Sequence, residues 1–171
     1  DVVLAVDLVE GRIRSAIDVS AAGVMLRSDQ ALLSADGKLL FVVNHGTENI
    51  LVIDTQQERV RKVLPWMAFH GDCLKATPDG RVYVGSPGGL AIVSCADLSY
   101  STLSISGVSF GSLAPSLARR NIVYCVSARD GRYFFHVVNV DGRSVERETM
   151  LPQEACRGGI DRLLLSPSED T

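Results

Sequence analysis

The chain has no apolar run longer than about five residues, Leu39 to Val43 being typical, whereas a membrane-crossing helix needs roughly 20. No segment is therefore predicted to span a bilayer as a helix. It has no surplus of positive charge, since 17 Lys+Arg stand against 20 Asp+Glu for a formal net charge of -3. That balance attracts no polyanion, and nucleic acid is not an expected partner. Histidine is scarce: His45, His70 and His136 are scattered, and none belongs to a spaced His or Cys pair, so no zinc site is expected. The four cysteines, Cys73, Cys95, Cys125 and Cys156, lie 22, 30 and 31 residues apart. That spacing forms neither a CxxC knuckle nor a dense disulfide framework. Read as single core thiols, they tilt the expected compartment towards a reducing, intracellular one, a periplasmic or secreted location being the alternative. The first twenty residues carry Asp and Glu through what would be the apolar core of a signal peptide, so none is expected there. No GxSxG elbow, phosphate-binding loop or EF-hand series occurs. Gly85 to Leu90, GSPGGL, joins two apolar runs and opens no helix. No catalytic residue, metal ligand or cofactor is assigned.

What is present is a repeat. With 46% hydrophobic and 22% charged residues in 171, the composition is globular and sized for one core. Three segments, LLSADGKLLFVVNHGTENILVIDT, KATPDGRVYVGSPGGLAIVSCAD and SLARRNIVYCVSARDGRYFFHVVNVD, share one order of features. Each has an apolar run with an aromatic residue, a turn with glycine, and a second apolar run ending in Asp. The aromatics Phe41, Tyr83 and Tyr124 recur at 42 and 41 residues, the glycines Gly46, Gly88 and Gly131 at 42 and 43, and the acids Asp54, Asp97 and Asp141 at 43 and 44. Asp7 extends the register backwards by 47.

Local signals inside each unit are those of short strands, with β-branched and aromatic runs separated by Asp-Gly turns at Asp36, Asp79, Asp130 and Asp141. In the best-defined unit the strands are expected near Gln30 to Leu33, Leu39 to Val43, Asn49 to Asp54 and Arg59 to Leu64. Four-stranded units recurring every 40 to 45 residues predict an all-β fold, a β-propeller built of four-stranded antiparallel blades. A β-sandwich would explain the strands but not the registered repeat. The expected layout is a partial blade at 1–20, blades at about 28–64, 72–105 and 111–150, and the start of another at 160–171. The closing blade of a four-bladed ring would lack its second strand, which would leave unpaired backbone within a sheet. The chain is therefore read as an incomplete arc of a larger propeller.

The stretch SADGKLLFVVNHGTENILVIDTQQERVRKVL resembles the YVTN-type β-propeller repeat, in which an S-P-D-G turn precedes Y-V-x-N and V-x-V-I-D-T strands. TPDGRVYVGSPGGLAIVSCAD resembles it with Ser86 in place of Asn, and Ser116 to Asp141 resembles it loosely. NHGTENILVIDT is also similar to WD40-like repeats, although their Gly-His and Trp-Asp marks are missing.

The acids Asp54, Asp97 and Asp141 recur once per unit, so a structural role is expected: accepting hydrogen bonds from the turn that follows the third strand. Arg59, Arg61 and Lys62 read as protection of a sheet edge, with Arg59 and Arg61 on one face. Function is sought on the loops between blades. Pro65 to Gly71 holds the only Trp together with a Met and a Phe. Two roles fit that cluster, an inward plug between blades or an exposed anchor of the kind enriched at interface hot spots. The loops Ser20 to Asp29 and Pro152 to Gly159 could lie on the same rim. Candidate partner-binding residues are Trp66, Met67, Phe69, His70 and Arg157. The expected function is a non-enzymatic scaffold for protein–protein interaction, the partner being another protein or the remaining blades of the same propeller. The resemblance also implies an alternative, a propeller enzyme or enzyme subunit of lactonase or amine dehydrogenase type acting over the central channel. His45, His70 and Arg157 are its best candidates.

Overall fold

A computed structural model of the chain describes residues 2–20, 30–45, 49–65, 73–156 and Leu163. Residue contacts divide the chain into two compact units, 1–68 and 69–171.

Among the described residues the first unit holds six strands: β1 (Val2–Asp7), β2 (Arg12–Asp18), β3 (Ala31–Leu33), β4 (Leu39–Asn44), β5 (Asn49–Asp54) and β6 (Arg59–Pro65). β1 and β2 form a two-stranded sheet, and β3 to β6 form an antiparallel meander in sequence order. The four strands of the meander lie where the sequence placed them. Leu39 to Asn44 and Asn49 to Asp54 are buried nearly throughout, which is why both strands read as continuous apolar runs instead of alternating ones. Val3 and Ile17 of the two-stranded sheet, with Val19 just after it, pack on Leu40, Val42, Leu51, Ile53 and Val60 of the meander. Arg14 of β2 reaches Glu58 of the meander, its Nε 3.1 Å from Oε1.

The second unit holds two more meanders. One is β7 (Cys73–Ala76), β8 (Arg81–Ser86), β9 (Gly89–Ser94) and β10 (Tyr100–Leu103); the other is β11 (Leu113–Pro115), β12 (Ile122–Arg129), β13 (Arg132–Asn139) and β14 (Ser144–Met150). A 3-10 helix, Gln153–Cys156, follows. The two sheets share a core of Tyr83, Leu90, Leu103, Phe110, Leu113, Val123, Cys125 and Val138.

The turns between first and second strands follow from their chemistry. In Ser34-Ala-Asp-Gly37, the Ser34 hydroxyl donates to Asp36 at 2.7 Å and accepts from the Leu39 N–H at 3.0 Å. Gly37 takes φ +71° and the corresponding Gly80 takes φ +79°, backbone that a residue with Cβ adopts at a cost. Thr77 repeats the serine's role by bonding Asp79. Asp130 and Gly131, at φ +54° and +71°, close the β12–β13 hairpin, as a two-residue type I′ turn requires.

The three repeated aromatics coincide: Phe41, Tyr83 and Tyr124 are each the third residue of the second strand of their sheet. Their surroundings differ. Phe41 and Tyr83 are fully buried, whereas Tyr124 is half-buried and stacks on Phe135 at 5.7 Å.

Candidate functional site

Trp66, Met67, Phe69, His70 and Arg157 all lie outside the described residues. The structure fixes their flanks. Pro65 ends β6 opposite Asn49, and Cys73 begins β7 opposite Gly85, so Trp66 to His70 belong to the connection from the last strand of one meander to the first strand of the next. The 3-10 helix ends on buried Cys156, immediately before Arg157. His45 sits half-buried in the turn after β4.

The recurring acids do not all occupy equivalent places. β1 and the third strands of the three meanders end at Asp7, Asp54, Ser94 and Asn139, and in each case the residue four positions on has positive φ: Gly11 (63°), Glu58 (49°), Leu98 (56°) and Arg143 (52°). Asp7 accepts from the N–H groups of Val9 and Glu10, and Asp54 from those of Gln56 and Gln57. In the last sheet Asn139 does this work, accepting from the Gly142 N–H at 2.8 Å. Asp141 instead faces Arg81 at 3.4 Å, so its expected turn role is corrected. Asp97 lies three residues past its strand; the Ser99 N–H and then the Ser99 hydroxyl bond its carboxylate and hold its pKa down to about 2. Arg59, Arg61 and Lys62 are exposed on β6, an edge strand of its sheet, as expected, but the shared face of Arg59 and Arg61 is corrected. The register of β5 and β6 shifts between Val52 and Ile53 and leaves Arg61 as the extra residue, so simple alternation no longer puts it on the face of Arg59.

Two groupings escaped the sequence reading. Ser127, His136 and Glu148 come from neighbouring strands β12, β13 and β14. The Ser127 hydroxyl bonds His136 Nε2, and His136 Nδ1 faces Glu148 Oε2 at 3.5 Å. The order hydroxyl, imidazole, carboxylate is that of a nucleophile, base and orienting acid. Access argues otherwise: Ser127 is 5% exposed and His136 fully buried, so no substrate carbonyl reaches the oxygen. Ser127 also lies 3.2 Å from the Gly107 carbonyl, to which its hydroxyl can donate. Burial lowers the pKa of His136, against the raising influence of Glu148 and with the lowering influence of Arg129. The Ser127–His136 bond ties β12 to β13, whereas His136 Nδ1 faces Glu148 of β14 without a hydrogen bond. The trio's signal in sequence was a histidine inside an apolar strand, and register alone reveals the partners.

The second grouping is an open cleft of about 430 Å³ between β9–β10 and the β13–β14 turn, lined by Arg81, Ser94, Tyr100, Ser101, Asp141 and Arg143 among others. Arg81 begins β8 at the position that Leu39 and Ile122 hold in the other meanders. Burial works against its charge, but the Tyr83 oxygen and the carboxylates of Asp141 and Asp79 more than offset it and raise its pKa. Arg143 donates to the Thr102 carbonyl at 3.1 Å. Both arginines are thus engaged in joining the two sheets. Among the described residues no group of His, Cys, Asp or Glu has the makings of a metal site, and no helix is long and apolar enough to cross a membrane.

No family model matches the chain, and no curated protein matches it. Solved structures do. Kuenenia stuttgartiensis hydrazine synthase superposes with a TM-score of 0.70 at 14% identity, over 88% of this chain and 43% of that one. A chain of the mitotic checkpoint complex gives 0.62 at 15%, over 86% and 44%. The RRP9 WD40 repeats give 0.56 at 17%, over 72% and 40%. At such identities the likeness is one of fold, and with the three meanders it defines the class: an all-β chain of β-propeller type, built of four-stranded antiparallel blades. The chain spans less than half the length of each of these solved chains, as an incomplete arc of a larger propeller would.

Proposed function

We propose that this chain is part of a non-enzymatic propeller scaffold that binds a protein partner through its loop rim, with Trp66, Met67 and Phe69 as the apolar anchor and His70 and Arg157 as polar contacts. The observation that carries the reading is the connection between β6 and β7. Its flanks are fixed by strand pairing at Pro65 and Cys73, and between them stand the chain's only tryptophan, a methionine and a phenylalanine. Large rigid side chains presented from a fixed scaffold suit an interface hot spot, because little conformational entropy is lost on binding. A solved neighbour of the same fold belongs to a multi-protein assembly, the mitotic checkpoint complex, which supports a partner of the same kind here.

A sole tryptophan makes the test direct. On this reading Trp66 fluorescence is readily quenched by acrylamide, and Trp66→Ala with Phe69→Ala leaves the melting temperature within about 2 °C of the parent, since exposed substitutions cost little. Loss of a bound partner in the double variant supports the reading. Protection of Trp66 from quencher, together with unfolding of the double variant, identifies the inward plug and overturns it.

A further inference from the structure

The two-stranded sheet has one covered face and one open face. Val2, Leu4 and Val6 of β1 are 52%, 49% and 51% exposed, and Ile13, paired with Val6, is 59% exposed. The fold itself says what belongs there. In β1–β2 the register shifts between Ala5 and Val6, two residues before the strand ends. The same shift falls between Val52 and Ile53 in β5–β6 and between Val137 and Val138 in β13–β14. With the shared positive-φ turns, this makes β1 and β2 the third and fourth strands of a blade, and it aligns Leu4 with Leu51 and His136, and Val6 with Ile53 and Val138. Those four counterparts are all 0% exposed. Leu51 and Ile53 are covered by the Val3 and Ile17 face of the two-stranded sheet, and Val138 by the Tyr83 and Leu103 face of the preceding meander. Wherever the structure shows this face buried, another sheet buries it.

A second observation concerns the edge of β1. β5, β9 and β13 each pair on both sides, whereas among the described residues β1 pairs with β2 alone. Beside that strand lies a largely apolar cleft of about 320 Å³, lined by Val3, Ala5, Ile17, Leu33, Leu40 and Ile53 among others.

We infer that the Val2, Leu4, Val6 and Ile13 face, with the adjoining edge of β1, is the docking surface for further blade structure of the same propeller. The occupant is antiparallel β-sheet. One of its strands continues the β1 sheet with its first residue opposite Asp7, as Leu39 stands opposite Asp54. A neighbouring blade lays an apolar face of the Val3 and Ile17 kind over Leu4 and Val6. This inference rests on the incomplete-arc reading and deepens it by naming the surface.

The 171-residue chain can serve as its own probe, because its sheets carry faces of the required kind. Sedimentation velocity at about 1 to 100 µM is run on the parent, on Leu4→Lys with Val6→Lys, and on Leu8→Lys with Val9→Lys, whose positions are 91% and 95% exposed in the turn. Hydrogen exchange of the β1 amides is followed in parallel. The expected result is self-association of the parent that slows exchange at β1, weakened at least tenfold by the Leu4 and Val6 pair with no change in melting temperature, and unaffected by the Leu8 and Val9 pair. A parent that stays monomeric throughout shows a closed fold and overturns the arc reading together with the inference. Association that ignores the Leu4 and Val6 changes, or leaves β1 exchange fast, keeps the arc and overturns the assignment of its surface. Unfolding of the Leu4 and Val6 variant shows the face already covered and overturns it as well.

Discussion

Gly85 marks a close backbone approach in the second unit that a single methyl group can measure. It lies in β8, between Cys73 of β7 and Leu90 of β9. A Cβ built on it falls 2.1 Å from the Phe110 carbonyl oxygen and 2.3 Å from Leu113 Cδ2. Carbon and oxygen come to rest at about 3.3 Å, so the segment entering the last meander must retreat by more than about 1 Å. Phe110 N–H donates to the Ser86 carbonyl at 2.9 Å, so the retreat strains a hydrogen bond as well. Overpacking costs about 1 to 3 kcal/mol and a weakened hydrogen bond about 1 kcal/mol more, which places Gly85→Ala at about 2 to 4 kcal/mol. For a chain of this size that lowers the melting temperature by roughly 4 to 16 °C. Gly80→Ala is the control: nothing lies within 4 Å of its added carbon, but its φ is +79°, so only the backbone penalty of about 1 to 2 kcal/mol applies. Thermal melts by circular dichroism, with urea titrations for the free energies, compare the two. A Gly85→Ala melt within about 2 °C of the parent, or a greater loss from Gly80→Ala, would refute the close-packing argument.

Two further outcomes are expected. Burial lowers the pKa of His136 from its ordinary 6.5, so the unfolded chain takes up the proton first; this contribution to stability is complete above about pH 6.5 and declines as the pH falls below it. Melting temperatures from pH 8 to pH 5 should show that decline, and it should flatten in His136→Gln; an unchanged slope in the variant would assign it to other groups. Asn139→Ala should cost about 1 kcal/mol, because it removes the acceptor of the Gly142 N–H, while Asp141→Ala, at an exposed position, should stay within about 0.5 kcal/mol. Urea midpoints decide between them, and a reversed order would restore the turn role to Asp141.

Legibility divided along the range of the interactions. Strand positions could be read because they depend on neighbours in the chain: the apolar runs Leu39 to Asn44 and Asn49 to Asp54, and the turns at Asp36-Gly37 and Asp79-Gly80, carry their own instructions. The aromatic repeat was likewise sound, since Phe41, Tyr83 and Tyr124 mark one position of one strand. The acid repeat mixed two kinds of position. Asp54 ends its strand, but Asp97 and Asp141 fall beyond theirs, because Ser94 and Asn139 hold the strand ends.

The candidate anchor is a proposal from composition, the connection that gathers Trp66, Met67 and Phe69, and it lies outside the described residues. Neighbours in space could not be read that way. Only tertiary structure joined Ser127 to His136 and Glu148, brought Phe110 onto Gly85, and left Leu4 and Val6 uncovered while Leu51 and Ile53 were buried. The reason is physical. A strand's propensity and its turns are set over a few residues, whereas the register beyond a bulge and the choice of face to bury are set by whole sheets packing on one another.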